Sequence, residues 1–213
     1  MMKRHIFIFI LALCKPVLAD KSPFDLEHVF PEDMHGWFSP YNRIWLQEYI
    51  TTQHPKKVVE VGSWLGLSAI FMAKLLDNDA KIYCIDPWAP YADMAAMPDC
   101  QIRMKYAYER FLSNCIHHKV TAKVVPMRMP SLQAVEYFAS DIDLIYIDGS
   151  HKPEDVFNDV MAWYPKLSAR GVMCGDDIGW PGTLEVLQKA AILLNVTLKS
   201  KDWGNFWWFE KNK

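Results

Sequence analysis

The sequence has little excess charge of either sign, few cysteines and no apolar run long enough to span a membrane. Its 213 residues include 23 basic and 25 acidic residues, for a net charge of −2, and this balance disfavours a polybasic nucleic-acid-binding protein. Five cysteines are too few for a disulfide-dense scaffold of this length. No linker, charge block or internal repeat divides residues 20–213. We therefore expect one globular domain there, without a nucleic-acid partner, and its oligomeric state stays open.

Residues 1–19 are typical of a secretory signal peptide. A basic start is followed by the apolar run Ile6–Cys14 and, after a short polar break, by the small residue Ala19. The nine apolar residues are too few to cross a bilayer, which takes about 20, so we expect no stable membrane span. We predict cleavage after Ala19 and export to a periplasm, a lumen or the medium. The alternative is a cytoplasmic protein in which this segment is a first helix or strand.

Short apolar runs alternate with segments of helical periodicity along the rest of the chain. The segments 67–76 and 153–167 carry apolar residues three and four apart. This alternation predicts βαβ units, and hence an α/β, doubly wound sheet that is mostly parallel. We also expect a helical extension over residues 20–55, with a helix at 34–53. The predicted strands are Val58–Val61, Ile82–Ile85, Val120–Val125, Ile142–Ile147 and Gly171–Cys174, and a C-terminal hairpin is predicted from Thr197–Ser200 and Asn205–Phe209.

A glycine turn follows the first predicted strand, in the sequence Glu60-Val-Gly-Ser-Trp-Leu-Gly-Leu-Ser68. Gly62 permits a tight turn, and Gly66 would let a ligand approach the backbone beside the N–H groups that open the next helix. Asp86 ends the second strand, where a carboxylate can accept both hydroxyls of a ribose. The alternatives are an ordinary strand-to-helix loop and, for Asp86, a turn initiator before Pro87.

Four motifs in one order resemble the class I S-adenosylmethionine (SAM)-dependent methyltransferases. They are Glu60-x-Gly62-x-x-x-Gly66, Cys84-Ile-Asp86-Pro-Trp88, Ile147-Asp148-Gly-Ser-His151 and Gly175-Asp176-Asp177. The resemblance is closest to the branch of small-molecule and sugar O-methyltransferases that use a divalent metal. It implies a Rossmann-like, seven-stranded sheet with a reversed last strand. It also implies donor contacts from the following residues: Glu60 supporting the turn, Gly62, Ser63, Gly66 and Ser68 around the methionine part, Asp86 at the ribose, Trp88, Ser131 near the adenine, and Asp148.

Three carboxylates follow the fourth and fifth predicted strands, at Asp148, Asp176 and Asp177. Because neighbouring parallel strands end at one edge of a sheet, these acids would converge and repel one another. A hard divalent cation with oxygen ligands would remove that repulsion and could lower the pKa of a substrate hydroxyl. In the catechol-type relatives, acids matching Asp148 and Asp176 bind magnesium, and the residue matching Asp177 is often Asn. The alternative is that Asp148 and Asp176 cap the helices that follow.

His151 lies three residues after Asp148, where the catechol-type relatives carry a lysine base. An imidazole can take a hydroxyl proton near neutral pH, although a lone histidine is often only a surface or packing residue. We therefore expect metal-assisted O-methylation of a small-molecule hydroxyl, with His151 as the base. The alternatives are another metal-dependent enzyme, such as a hydrolase, and a noncatalytic binding or effector protein on the same fold.

The remaining aromatic and cysteine residues are less informative. Trp88 and Trp180 follow strand ends and are candidates for the pocket wall, and the proline-containing segment 87–100 has the composition of a mobile loop or lid. Cys84 and Cys174 are predicted to be reduced core residues. Whether Cys100 and Cys115 form a disulfide is left open.

Overall fold

The apolar runs of the sequence form the strands of one sheet, and the periodic segments between them form helices. The structure is a computed structural model that describes residues 21–90, 97–201 and 205–211, so the predicted signal peptide at 1–19 lies outside the described residues. The strands are β1 Lys57–Val61, β2 Lys81–Asp86, β3 Val124–Arg128, β4 Ile142–Ile147, β5 Leu167–Gly175, β6 Val196–Ser200 and β7 Trp207–Lys211. The helices are α1 Pro40–Gln53, α2 Leu67–Leu75, α3 Pro98–Met104, α4 Ala107–His117, α5 Ser131–Ala134, α6 Pro153–Trp163 and α7 Thr183–Leu194, with 3-10 turns at Val135–Tyr137 and Tyr164–Lys166.

The seven strands are arranged in the order β3-β2-β1-β4-β5-β7-β6. Strands β1 to β5 run parallel to one another, whereas β7 runs antiparallel to both β5 and β6. The strand order reverses between β1 and β4, and this reversal creates the crevice in which doubly wound sheets bind their ligands. The predicted fold class, including the C-terminal antiparallel hairpin, is confirmed.

The strand register brings the predicted site residues to one edge of the sheet. Val61 pairs with Ile85 on one side and with Ile147 on the other, and Ile147 pairs with Gly175. The next residues along these strands are Gly62, Asp86, Asp148 and Asp176. Parallel strands in register therefore place four separate sequence motifs at the same carboxyl edge.

Each face of the sheet is covered by its own apolar layer. One layer packs α1, α2 and α4 against the sheet and includes Leu46, Ile70 and Phe111. The opposite layer packs α6 and α7 against it and includes Trp163 and Leu187. Burial on both faces explains why the central strands are almost continuously apolar in sequence.

The structure corrects several predicted boundaries. The predicted helix over 34–53 is wrong for its first six residues: α1 begins at Pro40, because Ser39 is its N-cap and accepts the backbone N–H of Asn42 at 3.2 Å. The predicted strand Val120–Val125 is displaced to β3 at Val124–Arg128. Within the predicted 87–100 loop, residues from Pro98 onward are helical, and residues 91–96 lie outside the described residues.

None of the described helices is both long and apolar enough to cross a membrane. Cys84, Cys100, Cys115 and Cys174 are all buried free thiols. The pairing of Cys100 with Cys115 that the sequence left open is therefore absent from the described structure.

Candidate functional site

A cavity of about 1200 Å³ opens at the carboxyl edge of the sheet. It brings together motifs that are more than 110 residues apart in the chain. Glu60 and Gly66 do not line it, although both were predicted as donor contacts. The predicted site residues that do line it are Gly62, Ser63, Ser68, Asp86, Trp88, Ser131, Asp148, His151, Asp176 and Asp177.

Glu60 supports the glycine turn through hydrogen bonds with two serines. Its side chain is fully buried in β1, and its two carboxyl oxygens accept hydrogen bonds from the Ser63 and Ser68 hydroxyls, each at 2.5 Å. Burial raises the pKa of Glu60 to about 7, and the two hydroxyl donors oppose that rise. Glu60 therefore connects the strand, the turn and the first turn of α2.

The two glycines of the turn are required by packing within the protein. Gly62 has φ of +91°, and a Cβ there would lie 2.0 Å from the carbonyl oxygen of Asp148. Gly66, also at φ +91°, faces the Phe111 ring of α4, only 3.1 Å from the position of a Cβ. The side on which a Cβ would lie is filled by the core, and the expectation that Gly66 lets a ligand approach the backbone stays a prediction.

Asp86 holds the loop after β2 against the glycine turn. Its carboxylate accepts the backbone N–H of Trp64 at 2.9 Å and that of Trp88 at 2.6 Å. Burial raises the pKa of Asp86, and these N–H donors oppose that rise. The contact with Trp88 is the turn-initiating role that the sequence left open, while a carboxylate facing the cavity can still accept from a ligand.

Trp88 is part of the core more than of the open pocket. Its side chain is buried, packs on the Tyr108 and Phe111 rings, and donates its indole N–H to the carbonyl of Trp64 at 2.6 Å. The indole therefore forms a fixed wall beneath the cavity.

Asp148 and Asp176 directly follow β4 and β5, and the negative charge of Asp176 acts on the Asp148 carboxylate. Burial and the negative charge of Asp176 raise the pKa of Asp148 well above its ordinary value, although the Tyr146 hydroxyl donates to it. Burial also raises the pKa of Asp176, whose Oδ2 accepts the Asn42 amide at 2.6 Å. The same Asn42 amide group donates to the Tyr146 hydroxyl at 3.0 Å. Helix α1 thus places an amide donor against the half-buried Asp176 and against the Tyr146 hydroxyl.

Asp177 is paired with His151. The carboxylate Oδ2 lies 3.0 Å from Nε2 of the imidazole, and both side chains are only partly exposed. The imidazole ring stacks on the Trp180 indole, with 4.2 Å between centroids and 12° between planes. A carboxylate and an aromatic face therefore fix the orientation of the ring at the cavity wall.

Neither Asp148 nor Asp176 caps the helix that follows it. The N-cap of α6 is Lys152, and that of α7 is Gly182. The alternative role for Asp148 and Asp176 is therefore excluded, and these half-buried carboxylates need another explanation.

The donor set fits a hard divalent cation in its chemistry. All three acids offer oxygen ligands, and the pKa values of Asp148 and Asp176 are raised first by burial and then by neighbouring carboxylates, both of which a bound cation would offset. Among the described residues, however, no group of three or more His, Cys, Asp or Glu side chains is arranged to hold a metal. Asp177 lies against His151, with 3.0 Å between its Oδ2 and Nε2 of the imidazole.

Ser131 opens α5 at the β3 side of the cavity. Its hydroxyl accepts the indole N–H of Trp163 on α6 at 2.8 Å. Ser131 is thus a linking residue between two helices.

Sequence reasoning missed several site residues. Asn42, Tyr146 and Asp159 lie in predicted helices or strands without any motif, and only the packing of α1 and α6 onto the sheet brings them to the site. Trp64 lies inside the glycine turn, and its left-handed φ of 43° is not indicated by its residue type. The open side of the cavity carries the exposed rings of Trp37, Tyr41 and Trp180, of which only Trp180 was favoured as a pocket residue.

Comparison with known proteins agrees with this architecture. A family model described as a methyltransferase domain matches residues 59–178. The O-methyltransferase hkm8 of Aspergillus hancockii is 26% identical over 140 residues, which are 65% of this chain and 49% of that protein. The chain thus spans about half the length of this curated relative.

Two solved structures share the fold. The O-methyltransferase TomG from Streptomyces achromogenes, in complex with SAM, superposes with a TM-score of 0.61 at 13% identity, covering 81% of this chain and 80% of that one. An O-methyltransferase from Bacillus cereus, in complex with SAH, gives 0.58 at 15% identity, covering 85% and 83%. The family model covers more than half of the chain, from the first strand to the paired acids, and this protein therefore belongs to the methyltransferase-domain family.

Proposed function

We propose that this protein transfers a methyl group from SAM to a hydroxyl oxygen of a small-molecule acceptor. The observation that carries the proposal is one cavity with two chemically different parts. The glycine turn and Asp86 form one part, and the three acids with His151 form the other. A methyl donor bound along the first part would present its sulfonium to the second. The O-methyltransferase named among the relatives, and the SAM and SAH complexes of the two structures, support this assignment.

The proposed reaction is an in-line displacement at the methyl carbon. The acceptor oxygen forms a bond to that carbon while the carbon–sulfur bond breaks. The electron pair of the carbon–sulfur bond stays on sulfur, and the product is S-adenosylhomocysteine (SAH). The acceptor hydroxyl proton passes to the His151 imidazole. Asp177, 3.0 Å from Nε2, stabilises the imidazolium that results. Placement of the two substrates in one enclosed cavity supplies much of the rate enhancement.

We further propose that a divalent metal, with Mg²⁺ as the first candidate, assists this reaction. Asp148, Asp176 and Asp177 would hold it, and when bound it would lower the pKa of the acceptor hydroxyl. The support is the burial of the Asp148 and Asp176 carboxylates and the repulsion between them. Asn42, which donates to Asp176, would orient that carboxylate.

The exposed rings at the cavity mouth suggest where the acceptor enters. Trp37 and Tyr41 precede and open α1, and Trp180 stacks on His151. Aromatic faces suit a flat ring or the apolar face of a sugar. We propose that the acceptor hydroxyl reaches His151 from this side.

The donor assignment is tested by calorimetry of the full chain with SAH and by a turnover assay with SAM and a panel of catechol and sugar hydroxyl acceptors. We expect SAH binding and release of SAH during turnover. Absence of SAH binding would contradict the proposed donor, and binding without turnover on any acceptor would favour a noncatalytic binding protein.

The metal proposal is tested separately in the same assay. Treatment with a chelator should lower turnover, and added Mg²⁺ should restore it. Added Mg²⁺ should not restore the turnover of Asp148→Asn. It should restore the turnover of Asp79→Asn, because Asp79 is an exposed acid in the loop before β2. Unchanged turnover after chelation would refute the metal role and leave the methyl-transfer proposal standing.

We also propose that residues 1–19 direct export. Mass spectrometry of the protein produced in a secreting host should then find Asp20 at the N-terminus. A mature N-terminus at Met1 would contradict this proposal.

A further inference from the structure

The described residues that line the cavity include many acids and no lysine or arginine. His151 is the one described lining side chain that can take a positive charge, and the proposed reaction needs it neutral, as a base. The chain as a whole has 23 basic and 25 acidic residues, so the cavity is an anionic region in a nearly neutral protein. The six lining acids are Asp86, Asp148, Asp155, Asp159, Asp176 and Asp177.

The ligands already proposed for this cavity would offset only part of its negative charge. SAM carries a single net positive charge at neutral pH, from a sulfonium, an ammonium and a carboxylate, and a divalent metal adds two more. Together they balance three of the six carboxylates. A proton on Asp148, whose pKa is raised well above its ordinary value by burial, would balance a fourth. The remaining negative charge acts on the acceptor, because charges within a cleft of low dielectric constant are screened less than charges in water.

The mouth of the cavity offers aromatic faces to the rest of the acceptor. Trp37, Tyr41 and Trp180 line the cavity and are 58%, 40% and 41% exposed. With the acceptor hydroxyl at His151, the unreactive part of the acceptor would lie near these rings, since Trp180 stacks on the imidazole. The face of an aromatic ring attracts a cation and repels an anion. The aromatic mouth and the acidic interior therefore favour the same sign of ligand charge.

We propose that the acceptor is a hydroxyl compound that carries a protonated amine, and that the cavity rejects acceptors with a carboxylate or a phosphate ester. This inference rests on the proposed function, because it concerns the acceptor of that same reaction. A carboxylate or phosphate would enter an acidic cavity without a lysine or arginine among the described lining residues to pair with it. An ammonium group would instead be attracted by the carboxylates and can lie over a ring at the mouth.

Asp155 tests the charge argument without a change in the proposed donor, metal or base residues. It lies in the first turn of α6, lines the cavity and accepts the Ser150 hydroxyl at 2.7 Å. Asp155→Asn removes its charge and keeps an oxygen that can accept from Ser150. Glu154, the preceding residue, is exposed and lies outside the cavity lining. Glu154→Gln is therefore a matched control that removes one negative charge from the same helical turn.

The test is calorimetry of the full chain, saturated with SAH in the presence of Mg²⁺, with two scaffolds that each come in three charge states. The catechol series is dopamine, ethylcatechol and dihydroxyphenylacetate, and the sugar series is the methyl glycosides of glucosamine, glucose and glucuronic acid. On a scaffold that binds, we expect the amine to bind about tenfold or more tightly than the carboxylate, with the uncharged compound between them. Added salt should narrow this difference, because ions screen the attraction and the repulsion.

Asp155→Asn should lower the ratio of amine to carboxylate affinity by about threefold or more, whereas Glu154→Gln should keep the wild-type ratio. Three results would overturn the inference and leave the methyl-transfer proposal standing: equal affinities for amine and carboxylate, tighter binding of the carboxylate, or failure of both amines to bind to a chain that binds SAH. If the chain binds no SAH, the proposed donor is wrong and this inference is wrong with it. Should Asp155→Asn fail to fold, the wild-type series and its salt dependence still decide the outcome.

Discussion

The buried Glu60 predicts an unusual dependence of stability on pH. Its folded-state pKa of about 7 lies above the ordinary value of 4.5 because burial penalises the charged form. The folded protein therefore holds this proton more tightly than the unfolded chain. The resulting stabilisation is complete below about pH 4.5 and is lost as the pH rises through about 7.

Glu60→Gln is the variant that isolates this effect. An amide keeps the shape of the side chain and can still bond to the Ser63 and Ser68 hydroxyls, by accepting from one and donating to the other. The rise of the Glu60 pKa from 4.5 to about 7 corresponds to about 3.5 kcal/mol of stabilisation of the protonated form. Relative to this variant, the wild type should lose about that amount between pH 4.5 and pH 8.

The measurement is urea unfolding of both proteins at half-unit steps from pH 4.5 to pH 8. Other acids also contribute to each curve, and those that do not interact with Glu60 cancel in the difference. Asp86 and Asp148 interact with Glu60, so their contributions belong to the measured difference. Glu48→Gln, an exposed change on α1, should give a curve parallel to the wild type. If the wild-type and Glu60→Gln curves are also parallel, the reasoning about a buried, proton-binding Glu60 is refuted.

Three further variants test the turn, the base and the helix over the site. In urea unfolding, Gly62→Ala should lower the free energy of unfolding by several kcal/mol, because its Cβ would lie 2.0 Å from a backbone carbonyl oxygen. Gly149→Ala should lower it far less, because its Cβ would make ordinary contacts at 3.5 Å. His151→Gln should lower kcat by about 10²-fold or more while the Kd for SAH stays unchanged. The control His28→Gln, at an exposed position, should change neither value. A kcat of His151→Gln equal to that of the wild type would contradict the role of His151 as the base. Ser39→Ala should cost about 1 kcal/mol in urea unfolding as α1 loses its N-cap, and no loss would contradict the capping role.

The sequence predicted the fold well where one local pattern decides the structure. Apolar runs bounded by Gly62 or Asp86 become strands, and their alternation with helical segments fixes the parallel sheet. Boundaries were less certain where local signals compete. Ser39-Pro40 is a strong helix start, yet the aromatic residues before it continue the helical spacing, which led to a helix that began too early.

The candidate site was predicted to the extent that it lies at strand ends. Asp148, Asp176 and His151 follow strands whose order the sequence indicates, so their convergence could be expected. The partners of these residues could not be expected, because Asn42 reaches them from a helix more than 100 residues earlier in the chain. The packing of Gly66 against Phe111 could not be expected either, because Phe111 lies on a distant helix.

The sequence by itself determined that a glycine turn, an acid after the second strand and three acids with a histidine lie in one order, because covalent spacing and local periodicity suffice for that. The tertiary structure decided how those groups are used. Only folding buries Glu60 beneath the turn and turns Asp177 toward His151. Folding also brings the Trp163 indole to Ser131 and places Ser131 and Asp159 in the cavity wall. These are contacts between distant segments, and their geometry and burial, which set the charge of each group, exist only once the helices pack on the sheet.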